Sequence, residues 1–142
     1  MKNHILLLGA VLASGCASEN YKPSTPVSRV QTTSLCAAYG MRAPDGDKIR
    51  AELSSRNAIN AEEWVHVERR EITVGMRECA VQAIVSVAGA AKYVSHKIGG
   101  KLVSRDVYYR CHDVGSSQCP LLKISYDKEG VVTSVGSAPD VP

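Results

Sequence analysis

The feature that most limits the fold of this 142-residue chain is a change of hydrophobic period near Lys92. Before it, apolar residues recur at helical spacing; after it, they alternate. Ala80, Val81, Ile84, Val85 and Ala88 form a stripe along one side of a helix entered from Arg77. Its β-branched residues lose side-chain freedom in a helix, so packing has to hold it. Gly75 stands where the chain turns into that helix, and Met76 follows as an adaptable apolar plug. Upstream, Pro44-Asp45-Gly46-Asp47 reads as a turn and a helix start, with Asp45 or Asp47 able to cap the exposed amides. Ile49 and Leu53 then recur one turn apart, and Glu52 is placed to meet Arg56 on the wet side before this helix ends near Asn57. Trp64, the only tryptophan, falls in the connection that follows, where its bulk plugs the core between helix and sheet.

Downstream of Lys92, Tyr93 to Ile98 and Lys101 to Cys111 flank Gly99-Gly100 as a two-residue hairpin or one bent strand. Leu122, Ile124 and Tyr126 alternate with Lys123 and Ser125, so one face is buried. Lys128-Glu129-Gly130 turns the chain, and Val131 to Val135 returns as the last strand. Helices first and strands afterwards predict an α+β domain.

The amino terminus predicts an address. Leu12-Ala13-Ser14-Gly15-Cys16 closes a short apolar run, Ile5 to Leu12, that follows Lys2. A bacterial lipoprotein signal ends this way, with cleavage before Cys16 and acylation of its thiol and new amine; an ordinary secretory signal with an incidental Cys16 is the competing reading. The run is too short to span a bilayer, and no later stretch approaches the roughly 20 apolar residues needed. Attachment is therefore expected through lipid, where several acyl chains hold firmly because each buried methylene contributes about 0.8 kcal/mol. Taking residues 1–15 from 142 leaves 127, enough for one domain. Residues 16–34, with Pro23, Pro26 and many Ser, Thr and Asn, read as the acylated cysteine and a flexible tether, a folded N-terminal strand being the alternative. The domain is placed at 35–137 and a frayed tail at 138–142.

Losing Lys2 takes 17 basic residues to 16 against 14 acidic ones, so no nucleic-acid footprint appears. Beyond Cys16 the cysteines are Cys36, Cys79, Cys111 and Cys119, an even number that predicts two disulfides in an oxidising compartment. Of the three possible pairings, Cys111 with Cys119 and Cys36 with Cys79 is preferred, since the first staples a short Gly/Ser loop and the second ties the start of the domain to its middle. Cys111-His112 with Cys119 lacks the close cysteine pairs of structural zinc sites. His66 and His96 stand alone in alternating segments, Gly99-Gly100 is a turn, and no Gly-x-Ser-x-Gly elbow is present. No catalysis, cofactor or metal site is expected.

With these residues in view, the chain resembles the BamE/SmpA/OmlA family of small outer-membrane lipoproteins. The matching elements are Ile72-Thr73-Val74-Gly75-Met76 with Val81 and Val85, then Val107-Tyr108-Tyr109-Arg110, then Leu122 to Thr133, in the same order and spacing over about residues 70–136. The family's Leu-Gly-x-Pro after the helix is absent, Arg77 stands where Thr or Ser is usual, and the four further cysteines and residues 35–69 are additional. The resemblance implies two short helices packed on a three-stranded antiparallel sheet, with Gly75, Met76, Tyr109 and Gly130 as structural motif residues. It also implies a scaffold that docks to other envelope proteins in outer-membrane protein assembly or integrity, and contact with anionic lipid. Lys92, Lys97, Lys101, Arg105 and Arg110 against Asp106 are compatible with such contact, or with simple protection of an edge strand by lysines. Ala17, in place of the aspartate that signals inner-membrane retention, points to the outer membrane with the domain facing the periplasm. Two other roles stay open: a periplasmic inhibitor of a cell-wall lysing enzyme, suggested by Tyr109-Arg110-Cys111, and an accessory lipoprotein of a secretion or conjugation apparatus.

Overall fold

A computed structural model describes residues 20–85, 90–110 and 121–139. Among these, four helices precede a four-stranded sheet. The helices are α1 (Thr32–Gly40), α2 (Gly46–Ser55), α3 (Ala61–Arg69) and α4 (Glu78–Ile84), and a single 3-10 turn at Val27–Arg29 leads into α1. The strands β1 (Ala90–Ile98), β2 (Lys101–Tyr109), β3 (Leu121–Asp127) and β4 (Val132–Ala138) form an antiparallel meander in the order β1-β2-β3-β4.

Local chemistry accounts for the element ends. At the start of α3, the Asn60 side chain accepts from the Glu63 N–H at 2.8 Å while Glu63 accepts from the Asn60 N–H at 2.9 Å, a reciprocal capping box. Gly75 has φ +94, a conformation L side chains rarely adopt, and this lets the chain double back onto the last strand. Its N–H donates to the Val132 carbonyl, and the Val132 N–H donates to the Met76 carbonyl, both at 2.8 Å. Glu78 N–H reaches the Gly130 carbonyl at 2.9 Å. The entry to α4 is thus laced to the β3–β4 turn, 52 to 57 residues onward in the chain, which brings helices and sheet together.

The core lies between them. Leu35, Ile49, Leu53, Trp64, Val81 and Ile84 from the helices meet Val107, Tyr109, Ile124, Tyr126 and Val132 from the sheet. A disulfide joins Cys36 on α1 to Cys79 on α4, with Cα atoms 5.2 Å apart and a sequence separation of 43. Glu63 is buried by its own helix and ion-paired to Arg77 at 2.6 Å, and it also accepts from the Arg77 backbone N–H at 2.8 Å. Burial works against the Glu63 charge, yet the hydrogen bonds from Arg77 and Asn60 outweigh it and hold the carboxyl below the usual range.

Several expectations need correcting in detail. The fold is α+β, but two helices become four: α1 overlaps the expected tether only at residues 32–34 and otherwise lies at the start of the expected domain, and α3 occupies the expected connection. Trp64 belongs to α3 and is buried, but its partners are helical: it donates its indole N–H to Ser54 Oγ at 2.9 Å, and the Tyr39 ring stands edge-on at 5.2 Å. Three strands become four, because Gly99 and Gly100 both take positive φ and close a hairpin. Residues 20–34, expected as tether, pack on the domain: Val30 is fully buried and Arg56 donates to the carbonyls of Val27, Ser28 and Val30. Of the two expected disulfides, Cys36–Cys79 is present; Cys111 and Cys119 lie outside the described residues, as do Cys16 and residues 140–142.

Candidate functional site

The β1–β2 hairpin outruns the rest of the sheet. Strand β3 pairs with β2 only from Ser104 to Tyr109, so the segment on the Gly99-Gly100 side of Ser104 stands as a two-stranded ribbon. Two positive-φ glycines suit the twist of a two-residue turn there. The ribbon exposes apolar side chains: Ile98 is 73% exposed, and Leu102 and Val103 are 38% exposed each. Lys97 sits opposite Leu102, and Ile98 opposite Lys101. A short ribbon has no second layer to cover it, so its apolar residues meet whatever lies outside the domain.

The five cations read together in the sequence are divided by the fold. Lys97 and Lys101 stand exposed at the ribbon tip, and Lys92 is half-buried at its base opposite Tyr108. Arg110 lies exposed just past β2. Arg105 turns toward the helices instead: it pairs with Glu78 at 2.5 Å, and its guanidinium lies 5.4 Å from the centroid of the Tyr126 ring.

A polar cluster occupies the sheet face away from the core. Asp106 on β2 accepts from Ser125 Oγ at 2.6 Å, from Lys123 Nζ at 2.9 Å and faces His96 Nε2 at 3.2 Å. Burial again opposes the carboxylate, and the Ser125, Lys123 and His96 contacts hold its pKa below normal. Ser, His and Asp are all here, but the aspartate is the hub and the serine donates to it, not to histidine. That order differs from a serine–histidine–aspartate relay, and the cluster ties β1, β2 and β3 together. Lys123 also sits 5.8 Å from the centroid of the Tyr108 ring.

The helical layer carries two open clefts. One of about 420 Å³ lies among Tyr39, Arg42, Asp47, Glu68, Arg70 and Ile84, and another of about 480 Å³ lies beside Gly75, Glu62 and His66. Both are lined by charges of mixed sign, and neither gathers three His, Cys, Asp or Glu side chains placed for a metal. The four motif residues are structural in position. Gly75 and Gly130 take positive φ, and a Cβ on Gly130 would come within 3.5 Å of Glu78 Oε2. Met76 is buried, and Tyr109 is buried with its hydroxyl 3.4 Å from that of Tyr126. Burial raises both phenols, Tyr109 to about 12.

Sequence reasoning missed the ribbon's apolar tip and the Asp106 hub. The first was legible in Ile98-Gly99-Gly100-Lys101-Leu102-Val103, where apolar residues sit on both sides of a turn; the second only in retrospect, since no periodicity marks a lone aspartate in a strand. No protein-family model, no curated protein and no solved structure matches the chain.

Proposed function

We propose that this chain is a lipid-anchored interaction module of a bacterial envelope. Acyl groups on Cys16 hold it at the periplasmic face of the outer membrane, where it docks to another envelope protein in outer-membrane protein assembly or envelope integrity. The observation that supports docking is the ribbon: Ile98, Leu102 and Val103 exposed beyond the sheet, beside Lys97 and Lys101. Burying a side chain such as Ile98 in a partner contributes roughly 1 to 3 kcal/mol, and the flanking ammonium groups favour a recipient with an acidic rim. The same tip cations, without Arg105, suit phosphate headgroups of the leaflet that carries the anchor.

Two measurements test this reading. Labelled palmitate should enter the protein and Cys16→Ser should abolish incorporation. A photoreactive residue at position 98 in intact cells should yield an adduct with one envelope protein, lost when Lys97 and Lys101 are both changed to Glu. A mature chain beginning elsewhere than Cys16 defeats the anchor, and capture of a muramidase alone at position 98 defeats the scaffold role.

A further inference from the structure

The two edges of the sheet are built differently. Strand β1 carries Lys92, His96 and Lys97, and its pairing with β2 is broken by register shifts at Ala90/Lys92 and His96/Lys97. Charge and bulging are what keep an edge from recruiting another strand. Strand β4, at the opposite edge, has neither device beyond its first residues: from Val131 to Pro139 there is no charged side chain. Its one register shift lies at the start, beside Val132, whose outer N–H and carbonyl are already taken by Met76 and Gly75. Past that point the described residues give β4 no partner except β3, and Thr133 to Ser137 are exposed. Every second residue of such a strand turns its N–H and carbonyl outward.

The residue order on this open edge is close to symmetric. About Val135, Ser134 answers Gly136, Thr133 answers Ser137 and Val132 answers Ala138. In a two-fold antiparallel pairing about Val135 each residue meets its mirror position, so this order sets only small or neutral side chains against one another. Gly136 fits the same account. A Cβ added there would meet nothing within 4 Å and its φ is not in the left-handed region, so the fold of the single chain does not call for glycine; close approach of a second backbone would. Pro139, which cannot donate, ends the strand where the opposing copy would reach the Gly75–Met76 cover.

We propose that two copies of this chain join through β4, antiparallel about Val135, to make one continuous eight-stranded sheet. Val135, 38% exposed in the single chain, packs on the Val135 of the second copy, and Ser137 lies across the dyad from Thr133, whose hydroxyl donates to the Ser125 carbonyl of its own sheet at 3.2 Å. A neutral strand meets its copy without repulsion, whereas β1 against β1 would set lysines together.

The test uses the full lipidated chain in detergent micelles and in intact cells. Sedimentation should give twice the chain mass for the native protein and the single-chain mass for Val135→Lys, with helix and strand content unchanged by circular dichroism. Because Val135 is on the exposed edge, this variant folds; Val135→Cys is the second arm, and in cells it should form a disulfide-linked homodimer that Lys97→Cys does not. A native protein that sediments at the mass of one chain throughout the micromolar range, or a Val135→Cys adduct with a different protein and none with itself, overturns the proposal.

Discussion

Glu63 and Asp106 are the buried carboxylates among the described residues, and they behave alike. Each sits in a shell of donors that lowers its pKa below that of an unfolded carboxyl, about 4. The unfolded chain therefore binds more protons as pH falls past about 4, so the stabilisation is complete above that pH and drains away as the folded groups titrate. Native protein should lose stability below about pH 4, and Asp106→Asn should flatten that acid limb in urea melts taken across the range. Glu63→Ala goes further. It strands the Arg77 guanidinium and removes the partner of the Asn60 and Arg77 amides, so a loss of about 3 kcal/mol is expected in denaturant unfolding at neutral pH. Asp106 cannot be singled out from the sequence, because its donors Ser125 and Lys123 lie 19 and 17 residues away and only tertiary structure supplies them; Glu63 is signalled by its capping-box spacing from Asn60, but its pairing with Arg77 is tertiary.

At the scale of elements, the chain was legible where a pattern is local. Ile49 and Leu53 in α2, the Ala80-Val81-Ile84 stripe of α4 and the alternation of β3 all describe surfaces buried as expected. The helices α1 and α3 were overlooked for different reasons. In α3, Asn60 followed by Glu63 is a capping box that the sequence does print, and Asn60→Ala should cost about 1 kcal/mol in thermal or urea unfolding. In α1, Thr32 to Gly40 is apolar nearly all round and polar only at its start, so no stripe marks it; it is helical because tertiary packing and the Cys36 link hold it there. The hairpin was left open between two forms, and positive φ at both glycines decides it. Replacing Gly99 and Gly100 with Val should splay the ribbon, read as loss of hydrogen-exchange protection at Lys97 to Leu102 while β3 keeps its own.

For the whole molecule, the Cys36–Cys79 bridge is the longest covalent constraint described. It spans 43 residues of α1, α2 and α3, and in the chain-entropy treatment a loop of that size contributes about 4 kcal/mol. Changing both cysteines to Ser should lower the unfolding free energy by about that measure in urea melts, with a somewhat steeper slope because the released denatured chain exposes more surface, and a reducing agent should do the same to the native chain. The sequence reaches this pairing as the remainder once Cys111 and Cys119, which lie outside the described residues, are taken as the staple of a short Gly/Ser loop.

Arg56 has a reach beyond α2. By gripping the carbonyls of Val27, Ser28 and Val30, with Tyr21 Oη donating to Asp45 at 3.3 Å, it fastens the chain to the body as far back as residue 21. On the proposed anchoring at Cys16, five residues separate the anchor from Tyr21, roughly 18 Å at full extension, where a tether running to residue 34 would allow about 60 Å. On that proposal the domain would ride close against the leaflet, and a leash of that length would decide which of its sides meets a neighbour.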